Sequence, residues 1–302
     1  MAQATQIGGV FAAAVTPHRL EGHEADFGGM LDLVDFLARS GVNGSVVLGS
    51  TGEFLHVKPS ERERIVQFAV KRSRVPIIAG ISHSTLDGAL ELGGEAITAG
   101  AAGLLLMPPH FFRYDQADIM EFYRRFAVEI GRTSVPLLLY NIPQFTSRIA
   151  FETVRALLDS GYYAGIKDSS GDWEFFQQLV ALRAERDFLL LVGNDAIFPQ
   201  ARRAGAAGVV SGVACAIPEL LVKLDAAITK GDEARADVLA GHLKEFIAWA
   251  DKFPTPVAIK VATAARGLKI GPLAVPLAPE KCRALDEFQA WFRDWFPKMV
   301  KI

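Results

Sequence analysis

Short apolar runs alternate along the chain with longer segments of helical spacing. The runs fall at residues 10–15, 45–48, 75–81, 104–107, 135–140, 163–166, 188–192 and 209–213, eight in all. Each is rich in Val, Ile and Leu without polar alternation, the mark of parallel strands covered on both faces. The segments between them have readable helix starts. Ser60 and Glu63 have capping-box spacing ahead of Ile65, Phe68 and Ala69. Asp115 precedes a helix with Ile119, Phe122, Tyr123 and Phe126 on one face, Asp172 precedes Phe176, Leu179 and Val180, and Pro218 fits a first helical position.

The alternation predicts repeated βαβ units. Gly41-Val42-Asn43-Gly44, Gly100-Ala101-Ala102-Gly103 and Gly205-Ala206-Ala207-Gly208 each stand where a helix stops and a strand begins, the first glycine suited to a left-handed C′ position. Eight strands with seven or eight helices predict an α/β fold, a (β/α)8 TIM barrel over residues 1–230 carrying the active site, with a C-terminal helical extension over 231–302 packed on it. In the extension, Leu239, Leu243, Phe246 and Ile247 give one helical face and Leu285, Phe288, Phe292 and Trp295 another. A doubly wound open sheet is the alternative; no strand is followed by a Gly-rich dinucleotide fingerprint.

Composition narrows the function classes. With 32 Lys and Arg against 34 Asp and Glu, the formal net charge is −2, which offers no electrostatic footprint for nucleic acid or an anionic membrane. Cys215 and Cys282 are too few for a disulfide framework and fit a reducing compartment, so the expected location is cytoplasmic. Residues 1–9 lack the basic and apolar regions of a signal peptide, and no stretch long enough to span a bilayer stays apolar.

In such barrels chemistry collects at the C-terminal ends of the strands. Here those ends carry Thr16, the turn Gly49-Ser50-Thr51-Gly52-Glu53, His83, His110, Tyr140-Asn141, Lys167-Asp168, Asn194-Asp195 and Ser211. An amine is a nucleophile only when unprotonated, and desolvation at an apolar strand end favours that form, so Lys167 is the candidate catalytic amine; the plainer reading is a lysine that pairs with Asp168. Tyr140 comes from the adjacent strand, where a phenol can shuttle protons, and the hydroxyls and amides of Ser50 and Thr51 can hold a carboxylate. Loops after the seventh and eighth strands contain no Lys or Arg and do contain an acid, which points to an unphosphorylated substrate. Asn194, Asp195 and Ser211 could hydrogen-bond hydroxyls of a sugar-acid chain. His18, His23, His56 and His242 belong to no constellation and read as surface or packing residues.

Gly49-Ser50-Thr51-Gly52-Glu53, Tyr140-Asn141-Ile142-Pro143 and Gly165-Ile166-Lys167-Asp168, with Ala14-Val15-Thr16-Pro17 at the first strand, resemble in order and spacing the signatures of the dihydrodipicolinate synthase and N-acetylneuraminate lyase family. The likeness runs from about Gly8 to the C-terminal helices. It implies that Lys167 forms a Schiff base with the keto carbon of pyruvate or a related 2-oxo acid. Tyr140 would move protons with Ser50 in its relay, Thr51 with its backbone N–H would form the carboxylate site, Gly49, Thr16, Phe111 and Phe145 would be further substrate contacts, and Val210 would lend a carbonyl. A homotetramer without metal or organic cofactor is also implied.

Two departures bear on substrate. Where the synthase branch carries a relay tyrosine this chain has Phe111, and where it carries an arginine that pairs with the carboxylate of aspartate semialdehyde this chain has Phe145. A phenylalanine can make neither a proton relay nor a bidentate ion pair; Arg113 or Arg148 could substitute if a loop brought them in. The reading is a Schiff-base lyase or aldolase that cleaves or dehydrates an unphosphorylated 2-keto-3-deoxy acid. Alternatives are a true dihydrodipicolinate synthase, a 2-oxo acid binding protein without turnover, and a metal-dependent barrel using His83, His110 and Asp195.

Overall fold

The computed structural model describes residues 7–21 and 24–301. Eight parallel strands close into a barrel in sequence order: β1 (Gly9–Ala13), β2 (Gly44–Val47), β3 (Ile77–Gly80), β4 (Gly103–Leu106), β5 (Leu137–Asn141), β6 (Tyr163–Asp168), β7 (Leu189–Val192) and β8 (Gly208–Ser211). Closure is made by β8 on β1, with Val10 opposite Val209 and Phe11 opposite Val210. All eight apolar runs of the sequence are strands. They are buried on both faces because helices cover the outside and side chains fill the inside, which is why their pattern is continuous.

The outer layer comprises α1 (Phe27–Arg39), α2 (Pro59–Arg72), α3 (Leu86–Ala99), α4 (Gln116–Ile130), α5 (Phe151–Asp159), α6 (Trp173–Glu185), α7 (Phe198–Arg203), α8 (Val213–Ala216) and α9 (Pro218–Lys230). Asp115 caps α4 by accepting from the Asp118 amide, Asp172 caps α6 through the Phe175 amide, and Pro218 opens α9. The first glycines of the three repeats are left-handed, with φ of 84° at Gly41, 85° at Gly100 and 108° at Gly205. The capping box expected at Ser60 and Glu63 is absent. Pro59 occupies the first turn of α2 and Lys58 the cap position, so Ser60 lies inside the helix and cannot cap it. A proline there has its φ preset and no N–H to satisfy, and it moves the start of the helix forward. Nearby Glu61 accepts from the Ala25 amide at 3.0 Å instead.

Beyond α9 come α10 (Glu233–Ala250), α11 (Val257–Ala265) and α12 (Pro279–Val300). The two predicted faces meet: Phe246 and Phe288 are fully buried with ring centroids 5.9 Å apart, and Phe292 and Trp295 close the cluster. Each such ring contributes roughly 1.5–3 kcal/mol by burial, enough to hold the helices together without a linker. Among the described residues no helix is long and apolar enough to cross a membrane. His23 lies outside the described residues; His18 is buried, and His56 and His242 sit beside Glu53 and Glu245.

Candidate active site

A cavity of about 380 Å³ opens at the C-terminal end of the barrel. At its base is Lys167, only 3% exposed, projecting from β6. Tyr140 is its register partner on β5, and the Lys167 Nζ lies 3.9 Å from the centre of the phenol ring. The Tyr140 hydroxyl turns towards Ser50 and shares a 3.0 Å hydrogen bond with its Oγ. Lysine, phenol and serine hydroxyl therefore form a connected line from β6 through β5 to the turn after β2.

The strand ends that carry these groups are clipped together. Asn141 Nδ2 donates to Asp168 Oδ1 at 2.7 Å, and the Asn141 side-chain oxygen accepts from the Ile149 amide. Burial raises the Asp168 carboxyl above its usual range, opposed by hydrogen bonds from Asn141 and Ser170. Asn141 and Asp168, one residue on from Tyr140 and Lys167, thus fix the relative height of those two side chains. On the other flank, a Cβ at Gly193 would meet Ser169 Oγ and lie 2.5 Å from Lys167 Cε. Only glycine leaves room for the lysine stem there.

The turn that carries Ser50 and Thr51 is held from the β1 side. Thr16 Oγ1 donates to the Gly52 carbonyl at 2.6 Å, and Leu48 and Glu53 bracket the turn in the left-handed region at φ of 58° and 48°. Ser50 and Thr51 line the cavity with Val210 from β8 and Asn194 after β7. Asn194 Oδ1 also accepts from the Ala196 amide. Asp195, beside it, accepts from the Val213 amide through Oδ2 at 3.3 Å while its buried Oδ1 has no hydrogen-bond partner. Burial pushes its pKa up to about 6, against the Ser211 hydroxyl, the Val213 amide and the positive charge of Lys167.

Four residues read from sequence as substrate contacts do not line the cavity. Thr16 Oγ1 is spent on the Gly52 carbonyl, Ser211 Oγ accepts from the Ala214 amide and its hydroxyl faces Asp195, and Gly49 is not among the lining residues. Phe111 is 85% exposed and packs edge-on against Phe112, away from the lysine. Phe145 does line the outer cavity. Neither arginine considered as a substitute clamp reaches it: Arg113 is bound to the Thr146 carbonyl, and Arg148 pairs with Asp172 at 3.0 Å and lies over the Phe175 ring. His83, His110 and Asp195 form no metal-ligating group, and none of three or more His, Cys, Asp or Glu occurs among the described residues. His83 is bound to Thr85, and His110 sits edge-on to Phe54, its pKa lowered first by burial and then by His83 and Arg62.

One wall was not foreseen. Ile247, Pro254, Pro256 and residues 257–259 of α11 line the cavity from the C-terminal extension. The signal was the apolar stretch after Pro254-Thr255-Pro256, but nothing local in it distinguishes a cavity wall from core.

A closed eightfold barrel with a buried lysine facing a phenol at its C-terminal end is the architecture of a Schiff-base-forming class I aldolase. The sequence profile of the dihydrodipicolinate synthetase family matches residues 6–294. The 4-hydroxy-tetrahydrodipicolinate synthase of Methanothrix thermoacetophila is 32% identical over 292 residues, covering 96% of both chains. Among solved structures, dihydrodipicolinate synthase from Aquifex aeolicus superposes with a TM-score of 0.88 at 25% identity over 96% of this chain and 98% of that one. YagE, a prophage protein of that family from E. coli K12 in complex with pyruvate, does so at 0.87 and 25%, covering 96% of this chain and 98% of its own. The chain belongs to the dihydrodipicolinate synthetase family, and it is a lyase of the class I aldolase type.

Proposed function

We propose that the protein cleaves or dehydrates an unphosphorylated 2-keto-3-deoxy acid through a Schiff base on Lys167. In this reading Lys167 Nζ attacks the C2 carbonyl, water leaves, and the imine becomes an electron sink, so neither metal nor organic cofactor is required. The substrate carboxylate lies on the hydroxyls and amides of Ser50 and Thr51, with the Val210 carbonyl beside the lysine. For cleavage, Tyr140 takes the proton of the C4 hydroxyl, the C3–C4 bond breaks, and its electrons pass into the imine to give an enamine, while an aldehyde departs. Protonation at C3 and hydrolysis then release pyruvate. For dehydration, a proton leaves C3 and hydroxide leaves C4.

The observation that carries this reading is the charge of the cavity wall. Beyond Lys167 it holds Asp195 and Asp251 and no second cation among the described residues, so a distal carboxylate or phosphate would face two acids without a partner. Asn194, on the cavity wall, suits a hydroxyl. The synthase reading remains the second one, favoured by the name of the Methanothrix relative. We also expect a homotetramer in the cytoplasm, the exposed Phe111 and Phe112 being available for subunit contact.

Borohydride reduction in the presence of pyruvate tests the class of chemistry. A stable pyruvyl adduct is expected on wild type and none on Lys167→Ala. Wild-type protein that stays unmodified at high pyruvate overturns the Schiff-base assignment.

A further inference from the structure

Lys260 and Glu53 lie 207 residues apart in sequence and form a buried ion pair, Nζ to Oε2 at 2.5 Å. Lys260 is 2% exposed and stands on α11, directly after the stretch that walls the cavity. Glu53 ends the turn that carries Ser50 and Thr51, in a left-handed conformation, and its other oxygen is 3.4 Å from His56 Nδ1. Both segments approach Gly212, where an added Cβ would lie 2.9 Å from Ile259 Cδ1 and 3.3 Å from Thr51 Oγ1.

A buried ion pair is a poor way to gain stability, because desolvating both charges offsets most of their attraction, and apolar replacements often do as well. What it supplies is direction: a short charged hydrogen bond fixes the distance between two segments more tightly than apolar contact does. Thr16 holds the turn at Gly52 from the β1 side. Among the described residues, Lys260 is the partner that ties the Glu53 side chain to the C-terminal extension. We infer that the Lys260–Glu53 ion pair is a positioning device of the active site, through which the C-terminal extension sets the Ser50–Thr51 turn for the substrate carboxylate. Lys260 touches no reacting atom in this role. The inference rests on the proposed reading only in taking that turn as the carboxylate site.

The test compares wild type with Lys260→Met, Lys260→Arg, Glu53→Gln and the double variant Lys260→Met/Glu53→Gln, which leaves no buried charge of the pair. Two readouts are taken, amide hydrogen exchange over residues 50–53 and the pyruvate concentration that half-saturates borohydride trapping. Loss of the pair is expected to speed exchange in the turn and raise half-saturation roughly tenfold, the size of one charged contact weakened, with little change in the maximal trapping rate. Lys260→Arg should recover part of both. A folded double variant with wild-type exchange and wild-type half-saturation overturns the inference, and that variant decides the matter if a single substitution does not fold. If wild type is not trapped at all, the Schiff-base reading fails, whereas unchanged exchange in the turn would still overturn the positioning role independently.

Discussion

Lys167 and Tyr140 are register partners on adjacent strands, with the amine 3.9 Å from the centre of the phenol ring and not against its hydroxyl. The hydroxyl is committed to Ser50 at 3.0 Å. The lysine thus meets the ring face while the hydroxyl points to the serine, and in the proposed mechanism the phenol would serve a substrate atom next to the imine nitrogen.

Tyr140→Phe tests that division of labour. It keeps the ring beneath Lys167 and removes only the hydroxyl, so turnover should fall by roughly 100-fold or more while borohydride trapping of pyruvate persists at a reduced rate. Steady-state turnover close to wild type would show that another group moves the protons.

Ser50→Ala should be milder. Water can take the place of a relay hydroxyl next to Tyr140, so a loss of about tenfold or less is expected. A loss matching that of Tyr140→Phe would make the serine indispensable to the relay, and the kcat values of the two variants decide it.

The barrel was legible because each strand is an apolar run that needs only its own residues to be read. The pairing of Lys167 with Tyr140 was legible because both stand at the ends of adjacent strands, where a side chain's direction follows from the strand itself. Hydroxyls were harder: Thr16 and Ser211 share the strand-end position of the reactive groups, yet Thr16 donates to the Gly52 carbonyl and Ser211 accepts from the Ala214 amide. Phe111 and Phe145 look alike in sequence, but a left-handed backbone with φ of 82° carries Phe111 outward while Phe145 stays at the cavity. The wall at residues 257–259 and the Lys260–Glu53 pair depend on contacts between the two ends of the chain, which periodicity does not encode. The misread capping box shows the opposite failure, a local pattern overruled by the proline beside it.

Asp195 should make stability depend on pH. Its folded pKa is raised by burial to about 6 from an ordinary 3.8, so the native state holds the proton more tightly than the unfolded chain. Its contribution is therefore fully present below about pH 4, declines as pH rises to about 6, and is flat above that. Asp195→Asn removes the penalty. It should raise stability at pH 8 relative to pH 4 by up to about 3 kcal/mol, read as a difference between the denaturation curves of variant and wild type at the two pH values. An identical effect of the substitution at both pH values would mean that the carboxyl titrates normally.

Thiol reactivity should separate the two cysteines. Cys215 is fully buried and its pKa is raised by burial to about 11, while Cys282 is exposed. Since the thiolate is the reactive form, iodoacetamide on native protein should label Cys282 and leave Cys215 unmodified until the protein is unfolded. Mass spectrometry of the alkylated peptides reads the outcome directly, and rapid native labelling of Cys215 would contradict its burial.

The acceptor prediction follows from what faces the outer cavity. Phe145 lines the outer cavity at the place where the resemblance to the synthase branch would put a cation to pair with aspartate semialdehyde's charged end, and Arg113 and Arg148 are held by the Thr146 carbonyl and by Asp172. A site without those groups has little with which to hold the semialdehyde, and Asp195 and Asp251 oppose it. Condensation of pyruvate with aspartate semialdehyde should therefore be at least ~100-fold less efficient than turnover of the best 2-keto-3-deoxy acid in a panel, a gap of about 2.7 kcal/mol in transition-state binding. That is the size of one lost charged hydrogen-bonding pair. The measurement is kcat/KM for each substrate under one set of conditions, with cleavage, dehydration and condensation products all followed. Efficient formation of the cyclised condensation product would mean that a cation reaches the site from elsewhere, a released Arg148 or a neighbouring subunit, and the synthase reading would replace the one argued from the cavity's charge.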